Sequence, residues 1–171
     1  MLSTRADCCG VSNATTHPVS RSTVQAFYQA YATLDLARLA ELIDDDVDWT
    51  ITGPVDLMRF CGQRRGKAAV LALFASQFPD AIKITRFTPE TLLLDGDRAA
   101  MLGRISGINR NSKRNISYQL AHFVRFRGGK VVEFRSLIDS FDAAEQMLGH
   151  SIDLSASSRA MDPSASDIVA V

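Results

Sequence analysis

Alternating apolar and polar residues dominate the stretch NISYQLAHFVRFRGGKVVEFRSLID, residues 115–139. A period of two is typical of β-strands, and its valine, phenylalanine and tyrosine side chains favour a pleated surface. The Gly128-Gly129 step supplies the positive φ that a tight turn needs. The stretch therefore predicts a long β-hairpin, and we expect a small-molecule pocket on its apolar face.

Two registers of this hairpin compete. A two-residue Gly-Gly loop would set His122 opposite Arg135, whereas a three-residue loop with Gly129 in a left-handed bulge would set His122 opposite Phe134. A slip of one residue exchanges the two faces of a strand, so burial decides between them. The bulged register separates apolar from charged residues more cleanly, and we expect it. It leaves His122 and Ser136 as the polar groups of an apolar face.

Apolar residues at helical spacing predict four helices. The first follows a cap at Ser20 or Ser22. The others cover residues 36–43, 67–78 and 142–148.

Period-two segments predict further strands over residues 47–52, 82–87, 90–94 and 99–109. The acidic run from Asp44 to Asp46 has no histidine or cysteine nearby, so a solvated turn is favoured over a metal site.

Residues 54–65 form a predicted loop that holds Met58, Phe60 and Cys61, apolar types that a solvated loop would not need. The pattern leaves two interpretations open. The loop is either a flap over a pocket or a segment packed against the next helix.

Charge and composition limit the classes of partner. The chain has 171 residues with 19 basic and 19 acidic side chains and no basic stripe, so we expect neither nucleic acid nor a membrane surface as partner. No apolar run approaches the ~20 residues of a membrane span. The cysteines, Cys8, Cys9 and Cys61, form no metal or disulfide pattern. We therefore expect a cytoplasmic protein without metal or cofactor.

One domain is predicted over residues 20–149. Residues 1–19 lack periodicity and are predicted to be a flexible tail, and residues 150–171 are rich in serine and alanine and predicted to be a disordered one.

The order of these elements resembles the SnoaL-like branch of the nuclear transport factor 2-like proteins. The segments that carry the resemblance are FYQAYATLDLARLAELIDDDVDWTITGP, RGKAAVLALF and AHFVRFRGGKVVEFRSLID, within residues 20–149. The resemblance implies a cone-shaped α+β barrel, in which a strongly curved, mostly antiparallel sheet packs on three helices. That scaffold hosts isomerases, dehydratases, cyclases, epoxide hydrolases and proteins without known chemistry, so it implies a pocket rather than one reaction.

The resemblance also implies where catalytic groups would lie. The base and the phenol donor of the similar steroid isomerases fall on Ile51 and Phe27, and their protonated acid falls on His122. Two carboxylates of the similar limonene epoxide hydrolases fall on Ser106 and Ser136.

Three residues remain as candidate catalytic groups. Arg104 matches the arginine of the epoxide hydrolases, and His122 matches the histidine of the similar polyketide cyclases, whose aspartate falls on Ser136. Asp139, three residues further on, keeps a carboxylate close to that position, and in the bulged register it points to the outer face unless a second bulge turns it inward. An imidazole suits proton transfer at neutral pH, so His122 is the predicted acid–base, with Arg104 holding an anion. The alternative is a satisfied interior histidine without chemistry.

The pocket wall is predicted from the inward-facing positions. Tyr28 and Tyr31 each offer a phenol, and for Tyr28 packing with its hydroxyl at the rim is favoured. The predicted wall consists of Phe27, Tyr31, Trp49, Ile51, Met58, Phe60, Ser106, Tyr118, Leu120, Phe134 and Ser136.

Two functions stay open. One is an isomerase, cyclase or hydratase acting on an apolar, carbonyl-bearing small molecule. The other is a non-catalytic ligand-binding or assembly module. Inward orientation of Asp139 and Arg104 would favour the enzyme, and exposure of both would favour binding. The predicted outer face of the hairpin mixes Phe123 and Leu137 with charged residues, which suits a homodimer through the sheet.

Overall fold

The computed structural model describes residues 17–153 of the chain. The pair Cys8-Cys9 and the greater parts of the predicted tails 1–19 and 150–171 lie outside the described residues. Within the described part, no helix is both long enough and apolar enough to cross a membrane.

Helices concentrate in the first half of the described chain, and long strands in the second. The elements are α1 (Arg21–Thr33), α2 (Leu36–Leu42), β1 (Ile43–Thr52), β2 (Gly62–Arg65), α3 (Lys67–Ala72), a π-helical turn (Leu73–Gln77), α4 (Phe78–Ala81), β3 (Ile82–Asp95), β4 (Arg98–Asn109), β5 (Asn115–Arg127), β6 (Lys130–Ile138) and α5 (Ser140–Leu148).

The six strands form one sheet in the order β2-β1-β6-β5-β4-β3. Among residues 17–153, every neighbouring pair is antiparallel except β1 with β6, which runs parallel and sets Trp49 opposite Phe134. The predicted α+β class, with a mostly antiparallel sheet packed on helices, is confirmed.

Helix α1 begins as its sequence predicts. Ser20 is the N-cap, and its Oγ accepts a hydrogen bond from the Thr23 N–H at 3.1 Å. Val24, Phe27 and Tyr31 recur on one face, and all three are buried. The Phe27 ring lies 6.0 Å from that of Phe134, so this face of α1 covers the inner side of the sheet.

Strand β3 is one long strand, although the sequence predicts two, over residues 82–87 and 90–94. Its pairing with β4 shifts register after Ile84 and again after Pro89. A register shift bends a strand without ending it, which explains why the polarity pattern breaks while the strand continues.

Glycines of β4 lie beneath these bends. A Cβ added at Gly103 would come within 2.8 Å of the Thr88 carbonyl oxygen, and one at Gly107 within 2.7 Å of the Lys83 carbonyl oxygen. Other residues would force the two strands apart, so glycine at these positions allows β3 to curl closely over β4. The glycines and the bends together curve the sheet.

The acidic run is part of a strand, so the predicted turn at Asp44–Asp46 is wrong. Strand β1 already begins at Ile43, which pairs with Val131 of β6. Aspartate disfavours strands, and the acidic run falls where the β1–β6 pairing is irregular, between the pairs Ile43–Val131 and Asp48–Glu133, with Asp45 and Asp46 exposed. Lys67 Nζ lies 2.6 Å from an Asp45 carboxylate oxygen, so part of the charge is also paired.

The segment 54–65 packs against the following helical region. Of the two interpretations that the sequence leaves open, this is packing against the next helix and not a flap over a pocket. Met58 and Phe60 are fully buried, and the Phe60 ring lies 4.9 Å from that of Phe78. Its last four residues form β2 on the edge of the sheet.

The helical region that starts at Lys67 extends to Ala81, three residues beyond the prediction, through the π-helical turn. The last helix starts at Ser140 rather than at residue 142.

The β5–β6 hairpin has neither of the two registers considered. Arg127 pairs with Lys130, so the loop has two residues, and the predicted three-residue loop is wrong. A bulge then lies at Val132, because Val131 pairs with Phe126 whereas the next pair is Glu133 with Arg125.

Beyond this bulge His122 lies directly opposite Ser136 instead of Phe134. The two partners differ by two positions, which is one period of a strand, so the inward direction predicted for His122 is nevertheless right.

We expect Gly129→Val to lower the free energy of unfolding by about 1 kcal/mol or more, because β-branched residues resist positive φ. Gly128 and Gly129 have φ values of 57° and 79°, and a Cβ at either would meet no atom within 4 Å. The cost would therefore come from the backbone and not from a clash. Urea unfolding measures it.

Gly128→Asn is the matched control, since asparagine tolerates the left-handed region in such turns. A Gly129→Val variant as stable as Gly128→Asn would contradict the two-residue turn.

Candidate functional site

His122 lies at the centre of the inner face of the sheet. It is fully buried on β5, where Met101 of β4 and Ser136 of β6 are its direct neighbours on the adjacent strands. Side chains in such directly opposed positions have Cβ atoms about 4.5–5.5 Å apart. The imidazole is thus held from below by three adjacent strands.

Four aromatic rings enclose the imidazole from the other sides. Tyr28 and Tyr31 come from α1, with ring centroids 5.8 Å and 5.3 Å from that of His122. Phe87 of β3 lies at 6.1 Å and Phe134 of β6 at 4.6 Å. The rings of Tyr28 and Phe87 are within 7° and 18° of parallel to the imidazole. We call these four rings with His122 the aromatic cage.

Trp49 extends the cage toward β1. Its indole stacks on Phe134 with centroids 3.7 Å apart and planes 11° from parallel. Because Trp49 is the only tryptophan of the chain, its fluorescence reports on the surroundings of the cage.

Polar atoms in and beside the cage have no hydrogen-bond partner in the described part of the protein. They are the Tyr28 Oη, the Trp49 Nε1 and both imidazole nitrogens of His122. An unsatisfied buried polar atom costs about 1–3 kcal/mol, so native proteins rarely leave several of them together. The sequence predicts the Tyr28 hydroxyl at the rim, whereas the structure buries it.

Burial keeps these groups uncharged. It lowers the pKa of His122 from 6.5 to about 3, because the imidazolium would lose its hydration. Burial likewise raises the pKa values of Tyr28 and Tyr31 above their usual range. At neutral pH the cage therefore presents two phenols and an imidazole with one donor and one acceptor nitrogen.

Arg104 lies on the outer face of the sheet, so its predicted place beside His122 is wrong. On β4 the inward residues are Met101 and Ile105, and Arg104 alternates with them. Its side chain is 41% exposed, and its Nε lies 3.9 Å from a Glu90 carboxylate oxygen. Ser106 shares the outer face, where its Oγ lies 2.9 Å from the Ser117 Oγ.

Asp139 also lies outside the cage, so it is not beside His122 as its candidate catalytic role requires; its outward direction is the one expected without a second bulge. It is exposed and caps α5, with its carboxylate accepting a hydrogen bond from the Asp142 N–H at 3.3 Å. A helix begins at that point, so the chain leaves the sheet before the carboxylate can turn inward.

The other predicted wall residues are in the interior. The buried set is Phe27, Tyr31, Trp49, Ile51, Met58, Phe60, Tyr118, Leu120, Phe134 and Ser136. Most of them form the core, and only those near His122 belong to the cage.

A cavity of about 370 Å³ opens between α1 and the bent part of β3. It reaches the cage, because Tyr28, Phe87 and Met101 line it and also neighbour His122. Among residues 17–153 no charged side chain contributes to the lining, which consists of Gln25, Tyr28, Gln29, Ala32, Phe87, Pro89, Leu92 and Met101.

Sequence reasoning missed this cavity. Gln25, Tyr28, Gln29 and Ala32 recur at helical spacing, which does place them on one side of α1. The contribution of Phe87 depends on the bends in β3, which the sequence pattern does not reveal.

In the part of the chain that the structure describes, the other reactive groups do not form a metal or nucleophile site. No group of three or more histidine, cysteine, aspartate or glutamate residues within 17–153 could hold a metal ion. Burial raises the pKa of the Cys61 thiol to about 11, so it is a protonated, unreactive thiol at neutral pH.

Comparisons with known proteins agree with this architecture. The model of the SnoaL-like domain family matches residues 24–134. A solved structure from Rhodopseudomonas palustris, provisionally named an isomerase, is 36% identical, with a TM-score of 0.68 over 75% of this chain and 97% of its own. No curated protein matches the chain.

More distant structures share the fold. A nuclear transport factor 2-like protein of unknown function from Burkholderia pseudomallei is 24% identical, with a TM-score of 0.64 over 77% of this chain and 96% of its own. An epoxide hydrolase of M. tuberculosis is 15% identical, with a TM-score of 0.60 over 75% of this chain and 88% of its own. They confirm the predicted fold.

We expect acid to destabilise the protein through His122. Between pH 6.5 and about 3 the unfolded chain binds a proton at this residue that the folded chain does not. The free energy of unfolding must therefore fall as the pH is lowered through this window. From pH 7.5 to pH 5 the loss is about 2 kcal/mol, measurable by urea unfolding.

His122→Gln has no imidazole at this position, so its free energy of unfolding should not show this loss. The difference in free energy of unfolding between the variant and the wild type should therefore change by about 2 kcal/mol between pH 7.5 and pH 5. His150→Gln, the same replacement at an exposed histidine, is the control. Parallel pH profiles of the wild type and His122→Gln would show that the imidazole is not shielded from water.

Proposed function

We propose, from the premise that this chain belongs to the SnoaL-like branch of the nuclear transport factor 2-like superfamily, that it binds an uncharged, ring-bearing small molecule between α1 and β3. The observation that carries this proposal is the set of unpartnered polar atoms beside the cavity. The Tyr28 Oη and both nitrogens of His122 are buried, and Tyr28 also lines the cavity wall.

The cage suits a flat ring. Tyr28, Phe87 and His122 are nearly parallel, so a ligand ring entering between α1 and β3 would find faces to stack on. A carbonyl or hydroxyl on that ring could take up the hydrogen bonds of the Tyr28 Oη and the imidazole. Tyr28 lies between the cavity and His122, so rotation of its side chain would bring His122 into contact with the ligand.

Binding is better supported than catalysis. Protonating an imidazole of pKa about 3 at pH 7 costs about 5 kcal/mol, which is a large penalty for a general base. The Asp139 carboxylate, which would offset that cost, and Arg104, which would hold the anion formed, are both on the outside. By the criterion set from the sequence, their exposure favours a ligand-binding module.

Isomerisation is the second candidate, and the 36% identical relative provisionally named an isomerase is what favours it. In that reaction, on a β,γ-unsaturated carbonyl compound, the imidazole of His122 would take a proton from the α-carbon and return it to the γ-carbon, while the double bond moves from the β,γ to the α,β position. Tyr28 would donate a hydrogen bond to the enolate oxygen formed between these steps. The enolate charge would offset part of the cost of burying an imidazolium.

We expect ligands of the right class to raise the melting temperature by mass action, to a degree equivalent to about 2.7 kcal/mol at a hundredfold excess over Kd. The compounds to be screened are neutral polyketides, terpenes and steroids, and Trp49 fluorescence measures the Kd of those that bind.

Tyr28→Phe should weaken the binding of such a ligand about five- to tenfold through loss of one hydrogen bond. Tyr118→Phe, a buried tyrosine outside the cavity lining, is the control.

His122→Gln separates the two candidates for a compound that is also converted. Loss of turnover with Kd kept within a few-fold would identify His122 as the catalytic group. Equal weakening by Tyr28→Phe and Tyr118→Phe would contradict the assigned cavity.

The second part of the proposal is a homodimer through the outer face of the sheet. Phe123 and Leu137 are 52% and 46% exposed there. Around them the charges alternate, since Arg125 lies 3.2 Å and Arg135 2.9 Å from the Glu133 carboxylate. A face of mixed sign with an apolar centre is complementary to its own copy under a two-fold axis, so a second chain is the partner that it fits.

We expect a dimer mass by light scattering at high micromolar concentration, and a monomer for Phe123→Glu, which would place two carboxylates at the centre of the interface. Leu148→Glu changes a comparably exposed leucine on α5, away from this face, and should stay dimeric. A monomeric wild type would contradict the proposed dimer and would leave the proposed ligand binding in the cavity unaffected.

A further inference from the structure

The mouth of the cavity carries two side-chain amides. Gln25 and Gln29 are one helical turn apart on α1, both are exposed, and both line the cavity. Within residues 17–153 neither side-chain amide has a hydrogen-bond partner; at Gln29 it is the backbone carbonyl that accepts a hydrogen bond from the Thr33 hydroxyl.

Polar groups thus lie at both ends of the cavity, with apolar walls between them. At the inner end is the buried hydroxyl of Tyr28, whose ring separates the cavity from the imidazole of His122, and at the outer end are the two exposed glutamines. The wall between them is formed by Ala32, Phe87, Pro89, Leu92 and Met101.

We propose that Gln25 and Gln29 are specificity-determining residues, which select a neutral planar ligand with a hydrogen-bonding group at its outer end as well as its inner end. This rests on the proposed binding function and adds the requirement for a second polar group. A side-chain amide offers both a donor and an acceptor without charge, so carbonyl, amide and hydroxyl groups all match it.

The same lining disfavours anions. A carboxylate entering the cavity would lose hydration, and no cationic side chain belongs to the lining to compensate it. An amide of the same shape would lose far less and would gain the hydrogen bonds of the glutamines. The cavity volume of about 370 Å³ lies at the small end of ligand sites, which fits a molecule of two fused rings.

Three naphthalene probes test these requirements on the full chain. 2-Naphthol has only an inner polar group, 6-hydroxy-2-naphthamide adds a neutral outer group, and 6-hydroxy-2-naphthoate replaces that group by a carboxylate. Quenching of Trp49 fluorescence measures Kd. We expect the naphthamide to bind about tenfold more tightly than 2-naphthol, which corresponds to one to two hydrogen bonds, and the naphthoate to bind more weakly than either.

The variant pair Gln25→Met with Gln29→Met removes the amides and keeps length and helix propensity, so α1 should fold normally. In this double variant the preference for the naphthamide over 2-naphthol should disappear. Gln119→Met, the same replacement at an exposed glutamine on β5, should keep the preference.

The outcomes separate the two proposals. If 2-naphthol binds but the preference for the naphthamide is absent or survives in the double variant, the role of the glutamines is overturned and the proposed function stands. If the naphthoate binds as tightly as the naphthamide, the neutral ligand class is overturned. If no probe binds at millimolar concentration, the proposed function fails, and the inference with it.

Discussion

The close approach of β3 to β4 is the constraint on which the rest of the structure depends. Gly103 and Gly107 let the β3 backbone lie where any side chain would collide with it. The resulting bend turns Phe87 toward the middle of the sheet, where it meets α1 and encloses His122. A flatter sheet would leave the imidazole in contact with water, and its pKa would then return toward its ordinary range.

Alternation along the strands predicts their faces well and their registers poorly. His122 and Ser136 face inward as predicted, because an error of two positions preserves direction. The predicted inward direction of Arg104 is wrong for a different reason. Both faces of β4 carry apolar residues, such as Met101 on the inside and Leu102 on the outside, so alternation there does not identify the buried side. The bulges that fix these choices depend on contacts between distant strands, which a single sequence does not display.

A neutral interior gives this site its chemical character. A solved structure named an epoxide hydrolase shares the fold. The carboxylate positions implied by the resemblance are serines here, and Ser106 lies on the outer face. The cage thus presents dipoles and ring faces rather than charge. The sequence predicts His122 and Tyr31 as pocket residues, whereas the role of Tyr28 in the cage follows only from the burial of its hydroxyl in the structure.

The parallel pairing of β1 with β6 governs how the chain can fold. Strand β1 is made early in synthesis, yet its central partner, with Val131 opposite Ile43, is near the end of the domain. Closing so long a loop is entropically costly, and contacts of this range slow folding. On the ribosome β1 has only the short edge strand β2 to pair with until the hairpin has emerged. Its unpaired edge is therefore the part of the nascent chain most exposed to wrong pairing with another molecule.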